Sequence, residues 1–128
     1  PSSKAGFAGD FAGHDFLHRM IGTAKARELY FTAEILDSAK IEALGLANRV
    51  VADDQLQAET MKLAGQLANG PRVAWGYMKR NMKAAEEGTL SEVMDLEAFG
   101  MMRCADTDDH KEAAKAFVEK RQPVFKGR

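Results

Sequence analysis

The groups most able to do chemistry gather near the start of the chain. Gly6-Phe7-Ala8-Gly9-Asp10-Phe11-Ala12-Gly13 is a run of small residues around a carboxylate, with Asp15 shortly after it. Small residues let a backbone approach a ligand closely, and a carboxylate held there can take up and return a proton. The plainer reading is a turn into a helix with Asp10 as its cap. His14 and His18 are four residues apart, a spacing that sets two imidazoles on one helix face. Without a third carboxylate or cysteine at ligand spacing, they read as surface or packing histidines rather than a metal site. No phosphate-loop pattern, nucleophile elbow or Cys/His metal set occurs anywhere in the sequence.

The elements that must position these groups are helices. Phe16, Leu17, Met20 and Ile21 form an apolar stripe on a short helix ending near Gly22. Thr23 can cap a second helix running through Lys25, Leu29 and Tyr30. A short helix over Ala39 to Leu44 stops at Gly45, with Ser38 and Glu42 one residue off the spacing of a capping box. Asn48-Arg49-Val50-Val51 is the only β-branched run, an extended link or an edge pairing.

From Asp53 three longer helices follow. The first carries Leu56, Met61, Leu63, Ala64 and Leu67 and stops at Asn69-Gly70. Pro71 suits the first turn of the next, whose apolar face is Val73, Ala74, Tyr77, Met78 and Met82, and Gly88 ends it. Thr89 or Ser91 begins the third, with Val93, Leu96, Phe99 and Met102 on one face. A final helix from about Asp108 to Arg121 turns Ala113, Ala116 and Phe117 inward, with acids at its start and bases at its end to suit the helix dipole. The seven Met residues, with the pairs Met101-Met102 and Val124-Phe125, suggest surface that expects a partner. The alternative is that Met fills irregular gaps in a helical core.

Composition bounds the rest. At 128 residues the chain is one domain or part of one. Hydrophobic residues make up 45% and charged residues 29%, with a net charge of −1. That balance gives no reason to expect nucleic acid or a membrane surface as a partner. Cys104 is the only cysteine and cannot form an internal disulfide, which fits a reducing compartment. No apolar run approaches the length of a membrane span. The chain lacks an initiator Met and a secretory leader, so a fragment or a processed product is expected.

Taken in order, these phrases resemble a known family. Gly6-x-x-x-Asp10-x-x-Gly13, then Phe16-Leu17-His18-Arg19-Met20-Ile21-Gly22-x-Ala24-x-Ala26-x-Glu28-Leu29, is similar to the central signature of the crotonase (enoyl-CoA hydratase/isomerase) superfamily. Ala43-Leu44-Gly45-Leu46-Ala47-Asn48-Arg49-Val50-Val51, Met78-Lys79, and the stretch from Thr107 through Phe125 continue the likeness to the end. The resemblance implies a mostly α chain, the helical carboxyl-terminal region of a crotonase-like α/β fold, without the amino-terminal, sheet-bearing half. It divides the chain into an active-site loop with its short helix over 1–22 and a helical oligomerisation and CoA-lid region over 23–128.

The resemblance also implies a chemistry. Such enzymes bind an acyl-CoA and hold its enolate in an oxyanion hole of two backbone N–H groups, both expected from the half not present. The second Glu of the hydratases would fall at Ser2, which cannot act as a carboxylic acid. Asp10 falls where isomerases and dehalogenases of the superfamily place a catalytic Asp. Ala12 replaces the family's second loop Gly, and His14 replaces a small polar residue, from where it could reach the acyl pocket. Lys120 falls near the nucleotide, Met101 against the adenine side, and Phe117 lies on the terminal helix that covers CoA. No separate cofactor is implied, because coenzyme A arrives as part of the substrate. A homotrimer or hexamer is expected, in the cytoplasm or the mitochondrial matrix.

Overall fold

The computed structural model describes residues 2–9 and 11–128. Seven α-helices are found among them: α1 (Gly13–Ile21), α2 (Thr23–Thr32), α3 (Ser38–Ala43), α4 (Leu56–Ala68), α5 (Arg72–Glu87), α6 (Leu90–Ala105) and α7 (Asp108–Val118). Single 3-10 turns cover Ser2–Ala5 and Asp53–Gln55. No strand occurs among the described residues, so Asn48 to Val51 is a link without an edge pairing. The chain separates into two compact units, 1–56 and 57–128.

In the first unit, α1 and the Ser2–Ala5 turn pack on α2. The α2 face that receives them is Ala26, Leu29 and Ala33, all buried, at the three- and four-residue spacing that lines one side of a helix. Gly22 separates the two helices at φ 78°, a value that costs a residue without Cβ almost nothing. Gly22, not Thr23, is therefore the N-cap of α2, and no side chain caps that end. Asp37 caps α3 by accepting from the Lys40 amide at 2.8 Å. Ser38, expected as the cap, is the first helical residue instead, and Lys40 rather than an acid occupies the third helical position, so no capping box forms.

In the second unit, α5 packs along α6 and α7 touches α6. Close approach depends on Gly100, which is buried; a Cβ there would lie 3.2 Å from Tyr77 Cβ. Tyr77 meets Phe99 edge-on at 6.1 Å, and the Arg80 guanidinium sits 5.4 Å from both ring centroids, a favourable cation–π arrangement. Val73, Ala74 and Tyr77 are half-buried as expected, but Met78 and Met82 are exposed. On α6 the inward line is Val93, Leu96, Gly100 and Cys104, while Phe99 is half-exposed and Met102 exposed. The line follows Gly100 because the Tyr77 side chain of α5 lies directly against it, leaving little room for a Cβ.

Side-chain chemistry sets the ends of these helices. The Asn69 amide donates to the Gly65 carbonyl at 2.9 Å to finish α4. Pro71 occupies the N-cap position of α5, one residue ahead of the expected first turn. Thr89 starts α6 with a full capping box: its hydroxyl accepts from the Glu92 amide, and the Glu92 carboxylate accepts from the Thr89 amide at 2.7 Å. Thr107 caps α7 through the His110 amide. That helix ends at Val118, short of Arg121, because Lys120 turns left-handed at φ 54°. Phe117, expected to face inward, is 85% exposed, whereas Ala116 is 1% exposed.

All seven methionines are exposed. They do not fill the core, and the gap-filling reading is set aside. Helix α4 buries no residue at all, and its Leu56, Met61 and Leu67 are open to solvent.

Candidate functional site

Asp10, the sequence's candidate catalytic group and candidate cap, lies outside the described residues. The turn that follows it is described. Phe11 at φ 45° and Ala12 at φ 60° are both left-handed, a conformation that costs each residue with a Cβ roughly 1–2 kcal/mol. Ala12 is the N-cap of α1, and its carbonyl accepts from the Asp15 and Phe16 amides at 3.0 and 3.2 Å. A glycine would hold this position without strain, so Ala12 is the costlier choice. Consecutive strained residues gather at functional turns.

The loop closes onto α1 and α2 through His14. Its imidazole stacks on Tyr30 with ring centroids 3.8 Å apart and planes at 15°. Two glycines make room for the pair. A Cβ on Gly9 would fall 2.0 Å from His14 Cε1, and one on Gly13 would fall 2.6 Å from the Tyr30 hydroxyl. Gly9 also sits at φ 114°, open to almost no other residue. The glycines flanking Asp10 thus serve an aromatic contact that their spacing in the sequence does not reveal. Beyond the stack is a cleft of about 410 Å³ that includes His18 and Arg27.

The other candidates belong to the second unit. Phe117 and Lys120 come together at the end of α7, where the Lys120 amide donates to the Phe117 carbonyl at 3.2 Å. Both side chains are exposed, and Lys120 has no ion pair among the described residues. Met101 lies on α6 and is exposed as well. No described contact joins Met101 to Phe117 or Lys120, and His14 stands in the first unit.

Two features tie the segment after α7 back onto that helix, and sequence reasoning missed both. Arg121 forks onto Glu112 at 2.5 and 3.0 Å, and the Val124 amide donates to the same carboxylate at 3.0 Å. The Arg121 hydrogen bond, followed by that of Val124, holds the Glu112 carboxyl at about 2, well below its usual range. Asp109 is 4% exposed and accepts from the Lys126 and Gly127 amides at 2.6 and 2.9 Å, tying the terminal segment to α7. Arg72 on α5 donates to the Lys126 carbonyl at 3.0 Å. These partners are 9 to 54 residues apart, and no short motif signals them.

Among the described residues no group of His, Cys, Asp and Glu could hold a metal ion, and no helix is long and apolar enough to cross a membrane.

A mostly helical chain is what the crotonase resemblance predicts, and comparison with known proteins bears this out. The family model for enoyl-CoA hydratase/isomerase matches residues 1–128, and the chain belongs to that family. It is 31% identical over 128 residues to a crotonyl-CoA hydratase of Syntrophomonas wolfei, covering 98% of this chain and 48% of the relative. It is 32% identical over 126 residues to a 1,2-epoxyphenylacetyl-CoA isomerase of Escherichia coli, covering 98% and 48%. A crystal structure of an enoyl-CoA hydratase from Geobacillus kaustophilus superposes with a TM-score of 0.94 at 34% identity, over 100% of this chain and 50% of that one. The chain thus spans about half the length of these relatives, consistent with the expected carboxyl-terminal region of a crotonase fold.

Proposed function

We propose that the chain supplies the helical part of an enzyme that isomerises or hydrates the double bond of an enoyl-CoA through a thioester enolate. The observation that carries this reading is the family match from the first residue to the last. The names of the relatives, a hydratase and an isomerase both acting on CoA thioesters, support the substrate class. In this reading Asp10 is the proton carrier. Its carboxylate removes a proton from the carbon chain, the electron pair spreads onto the thioester oxygen as an enolate, and the acid returns the proton at the conjugate carbon. Two backbone N–H groups that hold the enolate are expected from the remaining length of the relatives. Ser2 at the position of the second hydratase Glu favours isomerisation over hydration.

The CoA itself is assigned to the second unit. Lys120, without an ion pair among the described residues, is a cation that suits a phosphate, and exposed Phe117 and Met101 offer apolar surface for the adenine side. His14 is assigned to the acyl end. The exposed apolar residues of α4 and the methionines support assembly into a trimer or hexamer, because patches of this kind mark contact surfaces. A reducing compartment, cytoplasmic or mitochondrial, fits the lone thiol.

A second reading is an oligomerisation and CoA-binding module without chemistry of its own. It is favoured by the exposure of Phe117, Met101 and Lys120, none of which performs a chemical step. Asp10→Asn in the assembled enzyme separates the two. The catalytic reading expects a loss of about 10²–10⁴ in crotonyl-CoA turnover or isomerisation, with acetoacetyl-CoA binding retained in native mass spectrometry. Unchanged turnover would remove Asp10 from catalysis and leave the module reading.

A further inference from the structure

The cleft between α1 and α2 is lined by His14, His18, Ala26, Arg27, Tyr30 and Phe31, and no carboxylate lines it among the described residues. The acids nearest in sequence are already engaged: Asp15 with Arg19 at 2.9 Å and Glu28 with Lys25 at 2.6 Å. Arg27 has neither an ion pair nor a hydrogen bond among the described residues, and the Tyr30 hydroxyl makes no hydrogen bond there. The cleft is therefore cationic and aromatic at once. Its volume of about 410 Å³ falls in the range of small-molecule sites. Its aromatic wall is the His14–Tyr30 stack, for which Gly9 and Gly13 leave room.

A guanidinium recognises a carboxylate as a fork, and aromatic faces take flat groups. An inorganic anion would leave the rings unused, and a neutral ring would leave Arg27 unused. We propose that this cleft binds a planar carboxylate, with the carboxyl group on Arg27 and the flat body against the His14–Tyr30 stack. The carboxylate belongs either to the far end of an acyl group or to a free small acid, and the recognition chemistry is the same. The site stands on the geometry of the first unit alone and does not depend on enoyl-CoA turnover.

The test is benzoate titrated into the full chain while the ring-proton NMR signals of His14 and His18 are followed. A saturable shift is expected with benzoate and none with benzyl alcohol, which has the ring but no charge. Arg27→Gln is expected to weaken benzoate binding about tenfold or more, with Arg27→Lys intermediate because it keeps charge without the fork. Arg27 is exposed, so an unaltered amide spectrum should accompany the change. Tyr30→Leu, which removes the stacking face, provides a second and independent loss. Displacement of benzoate by crotonyl-CoA would assign the carboxylate to the acyl end, and simultaneous binding would assign it to a free acid; either supports the site. The proposal is overturned if benzoate causes no shift, if benzyl alcohol shifts the histidines equally, or if Arg27→Gln binds benzoate as tightly as the original chain.

Discussion

Asp109→Ala should loosen the end of the second unit more than any other single polar change. The carboxylate is 4% exposed and is the acceptor for two backbone donors, the Lys126 amide at 2.6 Å and the Gly127 amide at 2.9 Å. Hydrogen bonds to a charged group contribute about 1.5–3 kcal/mol each. The freed amides can turn to water once the tail lifts, and removing a buried carboxylate recovers part of its desolvation cost. Both effects bring the net loss below the sum of about 3–6 kcal/mol, to about 2 kcal/mol. For a unit of this size that corresponds to a fall in Tm of roughly 10 °C. The assay is thermal unfolding by circular dichroism, paired with hydrogen exchange at the Lys126 and Gly127 amides. Exchange should quicken at those two amides first, and at Asp109, whose own amide donates to the Arg128 carbonyl at 3.1 Å. Asp109→Asn keeps one acceptor oxygen and should lose about half as much. A change below about 0.5 kcal/mol with exchange unaltered would show that the tail is held by something other than Asp109.

Two further outcomes follow from the helix ends. Thr89→Ala removes the α6 cap and strands the capping box, at a cost of about 1 kcal/mol in urea unfolding; a loss confined to a few tenths would mean the box is ornamental to α6. The Glu112–Arg121 fork should give the second unit an acid-sensitive limb. Because the folded-state pKa of Glu112 is lowered to about 2, its contribution is complete above the ordinary carboxyl range and is lost as pH falls from about 4.5 toward 2. Glu92 is lowered in the same direction by its hydrogen bonds to Thr89 and adds to that limb. Glu112→Gln should flatten a plot of Tm against pH over that window, and an unchanged slope would count against the fork.

Much of this protein was legible in its residues. The apolar spacing marked the helices, Gly22, Gly45, Asn69-Gly70 and Gly88 marked their ends, and the ordered phrases from Gly6 to Phe125 marked the family. These are local properties, set by a 3.6-residue period, by caps within one turn and by the conformations open to glycine. The errors were also local and small. Ser38 yielded the cap to Asp37, Thr23 yielded it to Gly22, and α7 ended at Val118 because of a left-handed Lys120.

What only the tertiary structure decided is which side of each helix is covered and which distant groups meet. Sequence periodicity shows that Met78, Met82 and Met102 lie near an apolar face, but Gly100 against Tyr77 sets the line along which α5 and α6 close, and that line leaves the methionines outside. Phe117 is apolar at helical spacing yet faces out, since the smaller Ala116 takes the contact. The His14–Tyr30 stack and the anchoring of the tail by Asp109 bring together groups up to 18 residues apart. Their meeting is set by how the chain folds back on itself, and no interval in the sequence encodes it.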